Sequence, residues 1–182
     1  MEGSLKDVNV AILVVDGFEQ VELTGPRDAL ARQGARTVLV SAAREPVQGM
    51  NHDQKADKFD VDLTFAEAQP AEFAAVLLPG GVVNADEIRM HPKAQEFVRA
   101  MHEQGKPIAV ICHGAWLLAS AGLLRGRTLT SWPSLQDDLR NAGAQWVDKE
   151  VVVDGTLVSS RKPDDIPAFN REMLRVIQAA AG

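Results

Sequence analysis

The stretch Lys106 to Gly122, KPIAVICHGAWLLASAG, decides the fold. Lys106 to Cys112 is a short, nearly continuous apolar run, the pattern of a strand covered on both faces, as in a parallel sheet. It breaks at Cys112-His113-Gly114, and Ala115 to Ala121 then reads as a helix that Gly122 ends. A strand running through a tight turn into a helix is the repeating unit of an α/β protein.

The same unit recurs on both sides of this stretch. Val8 to Val15 (VNVAILVV) is a second buried-type strand, stopped by the turn signal Asp16-Gly17. Val21, Leu23, Ala29 and Leu30 follow at a partly helical spacing, interrupted near Gly25-Pro26, with Gly34 as its stop. Arg36 to Ala42 predicts a strand, Arg44 to Lys58 a polar loop, and Phe59 to Leu63 a short hairpin or edge strand. Ala71 to Gly81 predicts a strand ending in Pro-Gly-Gly, and Pro92 to Gln104 a helix stopped by Gly105. Thr128 to Trp132 is a short strand. Ser134 to Gly143 is a helix with Ser134 as N-cap, Glu150 to Ser160 a hairpin turning at Asp154-Gly155, and Pro167 to Ala180 a terminal helix. Strands alternating with helices predict a mainly parallel sheet with helices on both faces, joined by right-handed crossovers. Residues 1–182 are read as a single domain, since no linker, repeat or low-complexity tract divides them.

Composition narrows the function. The chain has 182 residues, a net charge of −6 and no tyrosine. No lysine or arginine run forms a basic patch, so nucleic acid is not an expected partner. No apolar stretch approaches the ~18 residues of a membrane span, and no secretory leader is recognised at the N-terminus, so a cytoplasmic protein without a membrane partner is expected. A single cysteine, Cys112, allows no internal disulfide and fits a reducing compartment. His52, His91, His102 and His113 lack metal-ligand spacing, and no phosphate-binding or dinucleotide fingerprint follows a strand. Neither a metal nor a cofactor is expected.

In open parallel sheets, ligands bind at the carboxyl ends of the strands. Three such ends here bear unusual residues: Glu19 after the first strand, Pro79-Gly80-Gly81 after another, and Cys112-His113-Gly114 after a third. Cys112, between strand and helix with small neighbours, fits a nucleophile elbow, and the helix N-terminus beside it favours a thiolate. It also fits a buried strand-end cysteine, as free cysteines are often buried. The His113 ring fits a general base or a solvent-facing side chain, while its backbone N–H fits an oxyanion donor. Gly80 and Gly81 allow close backbone approach to a ligand, or simply make a tight turn. Near Cys112, a protonated Glu19 would donate a hydrogen bond to the thiolate; otherwise it is an exposed loop carboxylate.

Taken together, GFEQVEL, LLPGG, AVICHGAWLLASAGLLRGR, DDLRNAGAQWVD and VVVDGTLVSSRKPDDI resemble the PfpI family of intracellular proteases and stress proteins. That family shares a superfamily with the parkinsonism-associated deglycase. The resemblance runs from about Val8 to the C-terminus. It implies a flavodoxin-like three-layer sandwich related to class I glutamine amidotransferase domains. It implies Cys112 as nucleophile, Glu19 as the protonated carboxyl beside it, and His113 as its paired histidine. The Gly81 and His113 amides are then the oxyanion donors. It implies a third acid from a neighbouring subunit, Asp86 or Glu87 here, in a stretch one residue longer than the family pattern. A homodimer or higher homo-oligomer follows. The expected function is a cysteine-dependent stress-response hydrolase acting on peptide bonds, glycated proteins or small dicarbonyls such as methylglyoxal. The alternative is a redox-sensing or chaperone-like protein whose Cys112 is oxidised. A glutaminase-type amidotransferase does not fit, because no histidine follows His113.

Overall fold

The structure, a computed structural model, describes residues 4–182. Met1 to Gly3, part of the segment read for a leader, lie outside the described residues. In chain order the elements are β1 (Asn9–Leu13), β2 (Phe18–Glu19), α1 (Gln20–Arg32), β3 (Arg36–Ser41), β4 (Val47–Asn51), β5 (Gln54–Phe59) and β6 (Leu63–Thr64). Then come β7 (Ala75–Leu78), α2 (Val82–Ile88), α3 (Pro92–Glu103), β8 (Ile108–Ile111), α4 (Ala115–Ser120), β9 (Thr128–Leu129) and α5 (Gln136–Asn141). The chain closes with β10 (Gln145–Trp146), β11 (Val152–Asp154), β12 (Leu157–Ser160) and α6 (Ile166–Ala181).

Seven strands form the main sheet in the order β11-β12-β8-β7-β1-β3-β6. Every pairing is parallel except β11 with β12. Side chains alternate across it as strand geometry requires. Ala11 and Leu13 of β1 face a core completed by Phe97 and Met101 of α3 and Leu117 of α4. Val10 and Ile12 face the opposite core, filled by Leu23 and Leu30 of α1 and Phe169 and Met173 of α6. The expected sandwich with helices on both faces is therefore present, and the carboxyl ends of β1, β7 and β8 lie side by side in the sheet.

Several local expectations are corrected. The helix α1 runs unbroken through Gly25-Pro26. Proline removes one intrahelical hydrogen bond, but Pro26 is buried on the core side of α1 with Leu23, Ala29 and Leu30. The polar segment read as a loop contains the antiparallel hairpin β4–β5, and β4 also pairs with β2. Its inner strand buries only Val47 and Gly49, so no hydrophobic alternation marked it. Of the short hairpin or edge strand expected over Phe59 to Leu63, Phe59 ends β5 and only Leu63 belongs to the edge strand, Leu63–Thr64. α2 had no sequence signal, being short and preceded by two glycines. Ser134 lies inside a 3₁₀ turn (Pro133–Leu135) ahead of α5 and caps nothing. The last hairpin turns at Gly155-Thr156, one residue later than expected, because Asp154 pairs with Leu157.

Core packing under α6 gives the first prediction. Phe169 is fully buried, so Phe169→Ala lowers unfolding stability by about 3–5 kcal/mol. Urea denaturation with an unaltered m-value checks this.

Candidate active site

The tip of β8 delivers Cys112 in the left-handed backbone region, at φ 63°. A cysteine there is strained by the contact between its Cβ and the backbone, and such strain persists only where the surroundings enforce it. The enforcement comes from neighbouring turns. A Cβ on Gly80 would lie 2.6 Å from Cys112 Cβ and 2.5 Å from Glu22 Oε1, so only glycine allows the β7 turn to approach this closely. Gly81, at φ 88°, abuts the backbone of Gly17 to Glu19 and starts α2. Asn84 locks this turn. Its Oδ1 accepts the Val15 N–H at 2.8 Å, and its Nδ2 donates to the Gly80 carbonyl at 3.0 Å. Nothing in the sequence singled out Asn84.

The carboxyl beside Cys112 belongs to Glu22, not Glu19. Glu22 is fully buried in the first turn of α1, and its Oε1 accepts the Gly80 N–H at 2.9 Å. Its Oε2 is buried without a hydrogen bond of its own. Burial, reinforced by the nearby Glu19 charge and opposed by the Gly80 N–H and Cys112, pushes its pKa up to about 8. Glu22 is thus protonated at neutral pH. Glu19 lies in β2, before the helix begins, and faces another way. Both its oxygens are 3.2 Å from the His52 N–H, so it holds the β4–β5 turn. The signal that distinguishes the two is helical spacing. Glu22 shares a face with Leu23, Pro26, Ala29 and Leu30, and a charged residue in an apolar stripe marks a buried carboxyl.

Gly80 is also corrected as an oxyanion donor, because its N–H is engaged by Glu22. The Gly81 and His113 amides are the backbone N–H groups that favour a charged Cys112 sulfur. The His113 ring closes the cluster, with Nδ1 3.2 Å from Sγ. It stacks on Trp132 at 5.9 Å and meets Trp116 edge-on at 5.4 Å. Burial between these rings lowers its pKa, which keeps the imidazole neutral. The expectation of a low-pKa thiol is reversed. Cys112 is 7% exposed, and burial pushes its pKa up, joined by Glu22 once that carboxyl ionises, despite the two amides. The helix behind it, α4, has only 6 residues and begins after an intervening 3₁₀ turn.

Cys112 and His113 open into a cleft of about 850 Å³, walled by the β4–β5 hairpin on one side and Val82 and Val83 on another. Asp86 and Glu87 lie on the exposed face of α2 and do not line it. Among the described residues no carboxylate bonds the His113 ring, and no cluster of His, Cys, Asp and Glu is arranged to hold a metal. No helix in the described residues is long and apolar enough to cross a membrane.

The chain is similar to a deglycase of Pyrococcus abyssi, with 44% identity over 171 residues, covering 94% of this chain and 100% of that protein. It is 42% identical over 172 residues to protein/nucleic acid deglycase 2 of Escherichia coli, covering 93% and 98% of the two chains. The Schizosaccharomyces pombe DJ-1 structure superposes with a TM-score of 0.81 over 96% of this chain and 97% of that one, at 22% identity. Residues 8–176 match the DJ-1/PfpI family throughout. With that match and those relatives, the chain belongs to the DJ-1/PfpI family.

Proposed function

We propose that this protein is a deglycase that releases amines from carbonyl adducts of reactive dicarbonyls, with Cys112 as nucleophile. The observation that supports this most is the 3.2 Å contact between Cys112 Sγ and His113 Nδ1, in which a neutral imidazole faces a protonated thiol. His113 takes the thiol proton as sulfur adds to the carbonyl carbon of the adduct. The Gly81 and His113 amides receive the charge that develops on the carbonyl oxygen. Glu22, neutral, keeps a second negative charge out of the pocket and offers its proton as a donor. In a hemiaminal adduct the nitrogen sits on the carbon beside the one attacked. The hydroxyl of that carbon becomes an aldehyde as the C–N bond breaks, and its proton passes to the oxyanion. The nitrogen leaves with the proton held by His113, and the hemithioketal reverts to the dicarbonyl, returning the thiol. The names of the Pyrococcus and Escherichia relatives support adducts of dicarbonyls as the substrate class. The buried, protonated thiol weighs against the redox-sensing alternative, since oxidation follows thiolate character and exposure.

The His113 ring lacks an acid to orient it, and this supports a homo-oligomer as the working unit. Val82 and Val83, on the helix that bears Asp86 and Glu87, and Met90, just beyond its end, are exposed apolar residues at 52%, 59% and 68%. A second copy docked on this face would bring one of those acids to His113.

Cys112→Ser abolishes release of free amine from methylglyoxal-treated N-acetyl-lysine, measured by amine-reactive fluorescence. Undiminished release by that variant sinks the proposal, and cleavage of unfolded casein without amine release makes the protein a protease instead. Asp86→Asn and Glu87→Gln, tested separately, identify the third acid. The relevant one loses about 10²-fold or more in kcat with its oligomeric mass retained.

Glu22 also sets a pH dependence. Its folded pKa, about 8, lies above the unfolded value of 4.5, so the folded state holds a proton that the unfolded state has released between these values. Stability is therefore greatest below the unfolded pKa and is lost as pH rises through the folded one. The slope contributed by Glu22 is about −1.4 kcal/mol per pH unit. Urea denaturation from pH 5 to 8 reads it, and Glu22→Gln removes that portion of the slope.

A further inference from the structure

The His113 ring is flanked by two indoles that differ in what else they touch. Trp132 stacks on it at 5.9 Å, with 22° between the planes, and lines the cleft. Trp116 meets it edge-on, at 5.4 Å and 72°, and does not line the cleft. Trp116 lies in the first turn of α4 and packs against the core. Its indole is itself fastened from both neighbouring helices. Nε1 donates to Asp138 Oδ2 of α5 at 3.0 Å. The guanidinium of Arg89, at the end of α2, lies over the indole at 5.2 Å, and Arg89 Nε donates to Ser120 Oγ of α4 at 2.9 Å. The second side-chain torsion of histidine is broad, so the backbone at His113 does not by itself fix the ring. A ring turned over about its Cβ–Cγ bond would present a carbon to Cys112 Sγ where Nδ1 now stands at 3.2 Å. Among the described residues no carboxylate bonds the ring, so within one protomer its aim comes from aromatic contacts.

We propose that Trp116 is a positioning residue: anchored by Asp138 and Arg89, it holds the His113 imidazole with Nδ1 turned to the Cys112 sulfur. Trp116 does not line the cleft, so it acts on the reaction through His113. An edge-on aromatic pair shifts the population of one ring orientation by about two- to tenfold. The proposal rests on the reading of His113 as the base for Cys112, and it adds what aims that base.

Cys112 is the only cysteine, so alkylation by iodoacetamide, followed by intact mass, reads its reactivity apart from any substrate. The bond from Sγ to carbon forms, iodide leaves with the electron pair, and the thiol proton passes to His113. Trp116→Leu is expected to lower this rate at neutral pH about three- to tenfold. It is expected to lower kcat for amine release by a similar factor with KM unchanged. In the His113→Ala background the same substitution is expected to have no further effect on alkylation, as for a residue that acts through that ring. An equal fall with and without the His113 ring, or a change confined to KM, overturns the proposal. Where Trp116→Leu does not fold, Asp138→Ala judges in its place, because Asp138 is exposed on α5 and its loss frees one edge of the indole. A fall of about twofold that disappears in the His113→Ala background supports the anchoring, and a rate equal to wild type overturns it. If His113→Ala alone leaves alkylation unchanged, the base and its positioning fail together. If wild type releases no amine, the deglycase reading fails while the alkylation cycle still judges Trp116.

Discussion

The site depends on one hydrogen bond, from the Gly80 amide to the Glu22 carboxyl at 2.9 Å. It joins the first turn of α1 to the end of β7, directly against the Cys112 turn at the end of β8. A fully buried carboxyl has no water to ionise into, so it stays neutral unless a cation pairs with it, and none does. This neutrality lets a carboxyl sit beside the Cys112 sulfur without placing a negative charge there. The same contact leaves no room for a methyl group on residue 80. With the Gly80 amide engaged, the next amide, that of Gly81, is the one that favours a charged sulfur. Asn84 then ties the turn back to the end of β1.

Two glutamates three residues apart illustrate how position alone divides roles. Glu19, at the end of β2, meets an amide of the hairpin and organises the cleft wall. Glu22, one helical turn later, rotates into the core and becomes a proton carrier. The boundary between strand and helix falls between them, and that boundary decides which carboxyl goes inside. Exchanging their environments would leave an ionised group in the core and an unclasped hairpin.

The layered architecture was legible because buried parallel strands and their following helices leave unambiguous apolar runs, as at Val8 to Val15 and Lys106 to Cys112. The convergence of three strand ends was legible for the same reason. Glu22 was not separated from Glu19, because loop-to-helix boundaries shift by a residue or two and Gly25-Pro26 obscured the helix. The β4–β5 hairpin escaped notice because it is held by side-chain clasps and β2 pairing, with little apolar burial of its own. The thiol's ionisation was misjudged on similar grounds. A turn before a helix suggests a stabilised anion, whereas the extent of burial is a tertiary property.

That burial bears on how the chemistry proceeds. Desolvation disfavours both an anionic Cys112 and a cationic His113, so the resting pair is thiol and imidazole. A permanent ion pair would be attractive to any oxidant or electrophile that enters. A neutral pair ionises only when a carbonyl arrives to accept the charge, because addition moves the negative charge from sulfur to oxygen as it forms. Both atoms lie near the Gly81 and His113 amides, so the donors that would stabilise a thiolate serve the oxyanion instead. On the proposed chemistry, the raised thiol pKa therefore ties reactivity to an occupied cleft. The strained Cys112 backbone and the neutral Glu22 then serve the same end, holding sulfur in place without charging it in advance.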